Sequence, residues 1–309
     1  MLEGPAASGP RHLVLFYRDA AEYRARLNEF VNAAAAAAEP VLVAIPQFPR
    51  FWPDWPDSAA VRTADMTELG RNPARVVAAL RAFCDAHAGK PVRIVTESIW
   101  PGRSDAEVCE AIRHEALIEQ VLAGLEADVL CPYNEALLPR SVLADARRAH
   151  RWQFLGTEVA ASAEYEGPGA IPAWCQVPLP SPPPDADAVE YRSDLRRVRA
   201  MVTAAGERAG LAAAKVTDLM IAVSEVAANT LRHTGSGGVA LAWRADGEIL
   251  CQVTDTGYIA DPLAGLRRPP PGELGGQGLW LVNQVCDLVE VRSTAGGTSV
   301  RMHMRIRRP

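Results

Sequence analysis

The sequence predicts two domains in series: a parallel-sheet α/β domain, then an α+β domain with helices on one face of a largely antiparallel sheet. Three observations lead there. Between His12 and His150, short apolar runs suited to strands alternate with helix-period segments, the pattern of βα units with both sheet faces covered. Residues 167–184 carry Pro-Gly, Ile-Pro, Val-Pro and Ser-Pro-Pro-Pro steps, and such chain behaves as a semi-rigid spacer. Beyond it come two amphipathic helices, a hairpin and a closing period-2 strand. A chain of 309 residues is long enough for each part to bury its own core. The expected boundaries are 11–155 for the first domain, 156–189 for the linker and 190–309 for the second domain.

In the first domain, residues 12–17 (His-Leu-Val-Leu-Phe-Tyr) read as a strand, 20–38 as an Ala-rich helix and 41–45 (Val-Leu-Val-Ala-Ile) as a buried strand. A helix over residues 73–88 starts with Asn72 as N-cap and Pro73 at N1. Residues 92–96 form a strand, and Ser104-Asp-Ala-Glu107 is a capping box that opens the next helix. A strand over 128–131 and a helix over 141–150 complete the domain.

In the second domain, Leu195, Val198, Val202, Ala205 and Ala209 mark one amphipathic helix, also a candidate homodimer surface. Val216, Leu219, Met220, Val223 and Ala227 mark the next. Strands over 239–243 and 249–253 flank Asp246-Gly247, a hairpin signal. A helix over 278–287, a strand over 289–292, a Gly296-Gly297 turn and alternating Val300, Met302, Met304 and Ile306 close the chain.

Composition narrows the function classes. Hydrophobic residues at 49% and charged residues at 22% exclude a disordered chain. A net charge of −5 gives no bulk attraction to nucleic acid or anionic membrane, so neither is an expected partner. The six cysteines, at 84, 109, 131, 175, 251 and 286, form no C-x-x-C pair. They point to reduced thiols in a cytoplasmic protein. Met1-Leu-Glu-Gly-Pro5 lacks the basic-then-apolar pattern of a signal peptide, and the alanine run at 33–38 is too short to span a bilayer.

Chemistry concentrates in three C-terminal segments. On the helix carrying Glu225, Val216 lies about 180° from Glu225, and Val223 and Ala227 lie within about 20° of the point opposite it. Asn229 and Arg232 share the Glu225 side. That side is either a solvated polar face or a site; Asn gains nothing on an exposed helix face, whereas its carboxamide oxygen can ligate Mg²⁺. Asp255-Thr-Gly257 ends a strand and reads either as a turn or as a carboxylate that accepts from an adenine amino group. Gly275-Gly276-Gln-Gly278 opens a helix and is either a flexible loop or a phosphate cradle of backbone N–H groups at the positive end of the helix dipole.

Taken in order, these segments resemble the Bergerat-type (GHKL, histidine-kinase-like) ATPase superfamily over residues 190–306, in particular the bacterial anti-sigma-factor serine kinases. Glu225 to His233 resembles the N box, Asp255-x-Gly257 the first glycine box, Gly275 to Gly278 the second, and Gly297-Thr298 the late element behind the adenine. The resemblance implies a Bergerat-type α/β sandwich that binds ATP and Mg²⁺. Asn229 would bind the metal, Asp255 and Gly257 with Thr298 the adenine, and Gly275, Gly276 and Gly278 the phosphates. Glu225 would be the general base toward a protein serine. The implied partners are a sigma factor and a STAS-type anti-sigma-antagonist protein.

Two departures stand out. Tyr258-Ile259 follows the first glycine box where a second glycine is common, and the segment 258–274, which would form the lid, is short and holds Pro269-Pro270-Pro271. Arg267 and Arg268 there either reach the γ-phosphate or are solvated. The departures motivate an alternative, a non-catalytic ATP-dependent switch that sequesters its partner. An atypical sensor histidine kinase is the other alternative, with His114-Glu115 as the tempting dipeptide. Ile118 and the absence of a two-helix stem speak against it.

The first domain has no Gly-x-x-x-x-Gly-Lys and no Gly-x-Gly-x-x-Gly after any strand, so its parallel sheet does not imply nucleotide. Residues 12–17, 91–100, His114-Glu115, Leu130-Cys-Pro-Tyr133 and Ala146-Arg-Arg-Ala-His150 together resemble the MEDS sensory domain, which implies a small-molecule ligand. The aromatic and proline-rich Phe48-Pro-Arg-Phe51-Trp52-Pro-Asp-Trp55 reads as a ligand lid at a strand's C-terminal end or as a packed loop. Cys131 reads as an inert core thiol. His12 and His150 begin and end the domain with no spacing that makes them a metal pair.

Overall fold

In the computed structural model, which describes residues 9–46, 61–167, 169–269 and 276–306, the chain divides into two units, Met1–Cys175 and Gln176–Pro309. The first runs β1 (Arg11–Tyr17), α1 (Ala20–Ala36), β2 (Val41–Ile45), β3 (Val61–Asp65), α2 (Met66–Leu69), α3 (Pro73–Ala86), β4 (Val92–Thr96), α4 (Asp105–Glu115), α5 (Ile118–Val121), β5 (Ala127–Asn134), α6 (Arg140–Ala149), β6 (Trp152–Phe154) and β7 (Val159–Ala161). Side chains start the helices where the sequence places them. Asn72 Oδ1 accepts from Ala74 N at 3.1 Å, and the capping box of Ser104 and Glu107 is closed in both directions.

The seven strands are ordered β3-β2-β4-β5-β1-β6-β7, parallel throughout except for the β6–β7 pair. All five residues of β2 and of β4 are buried, as expected of strands covered on both faces. Leu13, Leu15, Val43 and Leu130 pack with Leu27, Phe30 and Val31 of α1. Alternation turns His12, Val14, Cys131 and Tyr133, all but Val14 polar, to the opposite face, where they are also buried.

The second unit runs β8 (Asp187–Tyr191), α7 (Arg196–Ala209), α8 (Ala213–Thr234), β9 (Gly238–Ala245), β10 (Glu248–Asp255), α9 (Gln277–Val285), β11 (Leu288–Thr294) and β12 (Gly297–Arg305). Its sheet, β11-β12-β10-β9-β8, is antiparallel at every pair. Asp246 and Gly247 take φ of 49° and 78°, the two left-handed residues that a two-residue hairpin turn requires. Val198, Val202, Leu219, Val223 and Ala227 of α7 and α8 pack with Val253, Val282, Met302 and Met304. Each such Val or Leu contributes roughly 1.5–3 kcal/mol by leaving water. The apolar stripe of α7 is therefore consumed in this unit's own core.

The other face of this sheet is polar yet buried. Arg301 donates to Gln252 Oε1 at 3.0 Å, and His303 lies between Glu248 and Glu290 at 2.9 and 3.0 Å. The Pro-rich stretch is not a bare spacer. Cys175 O accepts from Arg113 at 3.1 Å within the first unit. Val177 O accepts from Arg292 at 3.2 Å, and Pro180 O accepts from Arg301, within the second. Prolines remove donors from a chain but leave its carbonyls free to accept.

Candidate functional site

The face of α8 that holds Glu225 is set by the stripe on its other side. Val216, Leu219, Ala222, Val223, Val226, Ala227 and Thr230 are buried, so Glu225 and Asn229 project away from the core and are half-buried. Arg232 and His233 in the last turn suit the negative end of the helix dipole. Arg232 also donates from Nη1 to Asn229 Oδ1 at 2.9 Å, leaving that oxygen one open lone pair.

Asp255, at the end of β10, is tied to the same helix. Thr230, one residue beyond Asn229, donates its hydroxyl to Asp255 Oδ2 at 2.5 Å. Asp255 Oδ1 accepts from Gly257 N at 2.7 Å. An ionised carboxylate has about four acceptor positions, so Asp255 retains capacity for an amino group. A Cβ on Gly257 would stand 2.8 Å from Thr234 Cγ2 and 2.9 Å from Asp255 Oδ1; only glycine lets the chain pass this close. Thr298, opposite Asp255 in the β10–β12 register, donates to Gly257 O at 2.9 Å and shares a 2.7 Å bond with Ser293.

The glycine segment meets the helix face directly. Gly276 is the N-cap of α9 with φ of 71°. A Cβ on Gly278 would come within 2.9 Å of Glu225 Oε2 and 3.2 Å of Asn229 Nδ2. The start of α9 thus abuts Glu225 and Asn229, and the missing side chain leaves backbone, carboxylate and carboxamide around one space. Gly275 lies outside the described residues. The arrangement fits a metal-bound triphosphate: hard oxygen donors from α8 face the amide-rich start of a helix.

The described part of the 258–274 segment is docked on α9. Leu266 is buried, Gly265 O accepts from Asn283 Nδ2 at 3.1 Å, and the Arg268 guanidinium lies over the Trp280 ring at 5.8 Å. Trp280 Nε1 and Gln284 Nε2 are buried without hydrogen-bond partners. Thr230, Arg232 and Trp280 were the residues sequence reasoning did not assign to the site. Thr230 is legible only as a hydroxyl one position after Asn229.

Two polar clusters occupy the first unit. Glu97, directly after β4, accepts from Tyr17 at 2.8 Å and Tyr23 at 2.6 Å. Burial outweighs those bonds and raises its carboxyl to about 7. The second cluster corrects the expectation for His12 and His150. Their ring centroids are 3.9 Å apart, and His12 Nε2 is 3.2 Å from Cys131 Sγ. Residues far apart in sequence meet because β1 pairs with β5 and α6 returns His150 to the same face. His114 is part-buried with Nδ1 2.6 Å from Glu110 O, a helix residue of the α/β unit. The aromatic segment from Phe48 to Trp55 lies outside the described residues. No described helix is long and apolar enough to cross a membrane.

Comparison with known proteins agrees with both halves. Residues 11–151 match the family model of MEDS, the methanogen/methylotroph, DcmR sensory domain. Residues 189–304 match the model of the histidine kinase-like ATPase domain. No match was found among curated proteins. Among solved structures, the RsbU and RsbW domains of Rv1364c from Mycobacterium tuberculosis show 22% identity over 41% of this chain, with a TM-score of 0.32. The match spans 34% of that chain, about a third of its length. The chain thus combines a MEDS domain over residues 11–151 with a histidine kinase-like ATPase domain over residues 189–304.

Proposed function

We propose that the C-terminal domain binds Mg·ATP and transfers the γ-phosphoryl group to a serine or threonine of a STAS-type antagonist protein, so controlling a sigma factor. The N-terminal domain would place that reaction under a small molecule. The observation that supports this most is the approach of Gly278 to Glu225 and Asn229 while Thr230 fixes Asp255 beside them. In this reading Asn229 supplies an oxygen to the metal and Asp255 receives the adenine amino group. Gly257 and Thr298 line the base, and Gly275, Gly276 and Gly278 leave backbone N–H groups for phosphate. Glu225 would take the proton from the acceptor hydroxyl as its oxygen bonds to the γ-phosphorus and the bond to the β–γ bridging oxygen breaks, releasing ADP. The chain's contribution is otherwise positioning, since phosphoryl transfer needs little covalent help. For the first unit, Glu97, Tyr17 and Tyr23 gather near strand C-terminal ends, where open α/β sheets receive ligands.

A second reading rests on Arg232. Its bond to Asn229 Oδ1 puts a guanidinium charge beside the proposed metal ligand and favours a domain that binds nucleotide and a partner without turnover. Labelled ATP, incubated with the protein and candidate antagonists, separates the two. Transfer by wild type that is lost in Glu225→Ala, with nucleotide affinity within about threefold, supports the kinase. Retained binding without any transfer by wild type supports the switch.

A further inference from the structure

The α6-side face of the N-terminal sheet buries a set of donors that the nucleotide chemistry does not use. His12 sits in β1, Cys131 in β5 and His150 at the end of α6, and all three are buried. Each offers one donor atom, and the three atoms lie within 4.8 Å of one another. Among the described residues no other trio of His, Cys, Asp or Glu donors meets that condition.

Two further observations point to a ligand. His150 Nδ1 is 2.8 Å from Ala146 O; a carbonyl only accepts, so Nδ1 carries the proton and the lone pair is on Nε2. That Nε2 is buried with no hydrogen-bond partner. An imidazole whose Nδ1–H is held by a carbonyl while its other nitrogen is free is oriented as metal-ligating histidines are. Glu115 adds a buried carboxyl. Its Oε1 is buried and unpartnered, while Oε2 accepts from Tyr133, whose ring meets His150 edge-on at 5.8 Å.

We propose that His12, Cys131 and His150 bind a thiophilic transition-metal ion, with zinc as the ion the donor set suits best. Two imidazoles and a thiolate match zinc's tetrahedral preference, and three protein donors leave a fourth position open. Around a tetrahedral zinc, donors stand about 3.4 Å apart. His12 Nε2 and Cys131 Sγ are already at 3.2 Å, and the cluster closes with small side-chain movements. On binding, the Cys131 S–H bond breaks, one proton leaves to solvent, and a zinc–sulfur bond forms with no change of oxidation state. The thiolate supplies one negative charge toward the dipositive ion.

The test uses the full, untagged chain, loaded with zinc alone and freed of loosely bound metal. The expected result is about one zinc per chain and, by X-ray absorption at the zinc edge, one sulfur at about 2.3 Å with two imidazole nitrogens at about 2.0–2.1 Å. Replacement by cobalt should give a thiolate-to-metal charge-transfer band that Cys131→Ala abolishes, and His150→Gln should weaken zinc binding at least tenfold. If either variant fails to fold, the absorption spectrum of the wild type still decides. Wild type with less than about 0.1 zinc per chain, a shell without sulfur, or full zinc binding by folded Cys131→Ala would each overturn the site.

Discussion

Thr230 on α8 and Asp255 at the end of β10 share a 2.5 Å hydrogen bond from hydroxyl to carboxylate. This bond links the helix that carries Glu225 and Asn229 to the strand end proposed to read the base. The two elements meet elsewhere through apolar packing, which fixes distance but not the direction of a carboxylate. Hydrogen bonds to Thr230 and Gly257 N hold both oxygens of Asp255 in place.

Replacing Thr230 by valine keeps the shape and removes the donor. The loss of a bond to a buried-edge carboxylate should cost about 1–3 kcal/mol, read as a lower denaturation midpoint. Mg·ATP affinity should fall about tenfold as Asp255 loses its orientation. Unchanged affinity in a destabilised variant would show that Thr230 is structural only.

Gly278→Ala should separate stability from binding. The new Cβ meets Glu225 Oε2 at 2.9 Å and Asn229 Nδ2 at 3.2 Å, the far ends of side chains that can move. Folding stability should therefore change by less than about 1 kcal/mol, with alanine's better helix propensity on the favourable side. Nucleotide affinity should drop at least tenfold, because the methyl fills the proposed phosphate cradle. Calorimetry and a thermal melt on the same sample check both halves.

Glu97 gives the first unit a pH dependence of definite sign. Burial raises its carboxyl from 4.5 to about 7 in the folded state, so the native chain binds more protons than the unfolded chain between those values. Its contribution is fully present below about pH 4.5 and declines as pH rises to about 7, by roughly 3 kcal/mol. Denaturation from pH 4.5 to 8 should show wild type losing stability relative to Glu97→Gln, and parallel curves would contradict it.

His303 acts similarly in the second unit. Burial disfavours its charged form, but Glu248 and Glu290 outweigh that and raise it from 6.5 to about 8. Stability from this group is fully present below about pH 6.5 and is lost as pH rises through about 8, roughly 2 kcal/mol in all. Hydrogen exchange of β12 should accelerate over that range beyond its ordinary pH dependence, and His303→Gln should remove the excess.

Much of this molecule was legible in its sequence because the decisive signals are local. Caps at Asn72 and Ser104, the Asp246-Gly247 turn and the Met302–Met304 alternation each act within a few residues. The short strands β3, β6, β7 and β8 were not read, since three to five residues with at most two buried apolar positions carry little periodicity. Glu225, Asn229, Asp255 and Gly278 were proposed from their order along the chain, and the structure brings Gly278 against Glu225 and Asn229. Thr230's bond and the His12–Cys131 contact, 119 residues apart, depend on which strands pair, and no spacing rule reports that. The division between the two units falls within the proline stretch, while the use of its carbonyls by Arg113, Arg292 and Arg301 depends on tertiary placement that composition does not report.

Calorimetric titration of the full chain with Mg·ATP tests the central claim most directly. Saturable binding of one nucleotide per chain is expected, weakened at least tenfold in both Asn229→Ala and Gly278→Ala and dependent on Mg²⁺. No binding by folded wild type, or binding that neither substitution alters, would contradict the account.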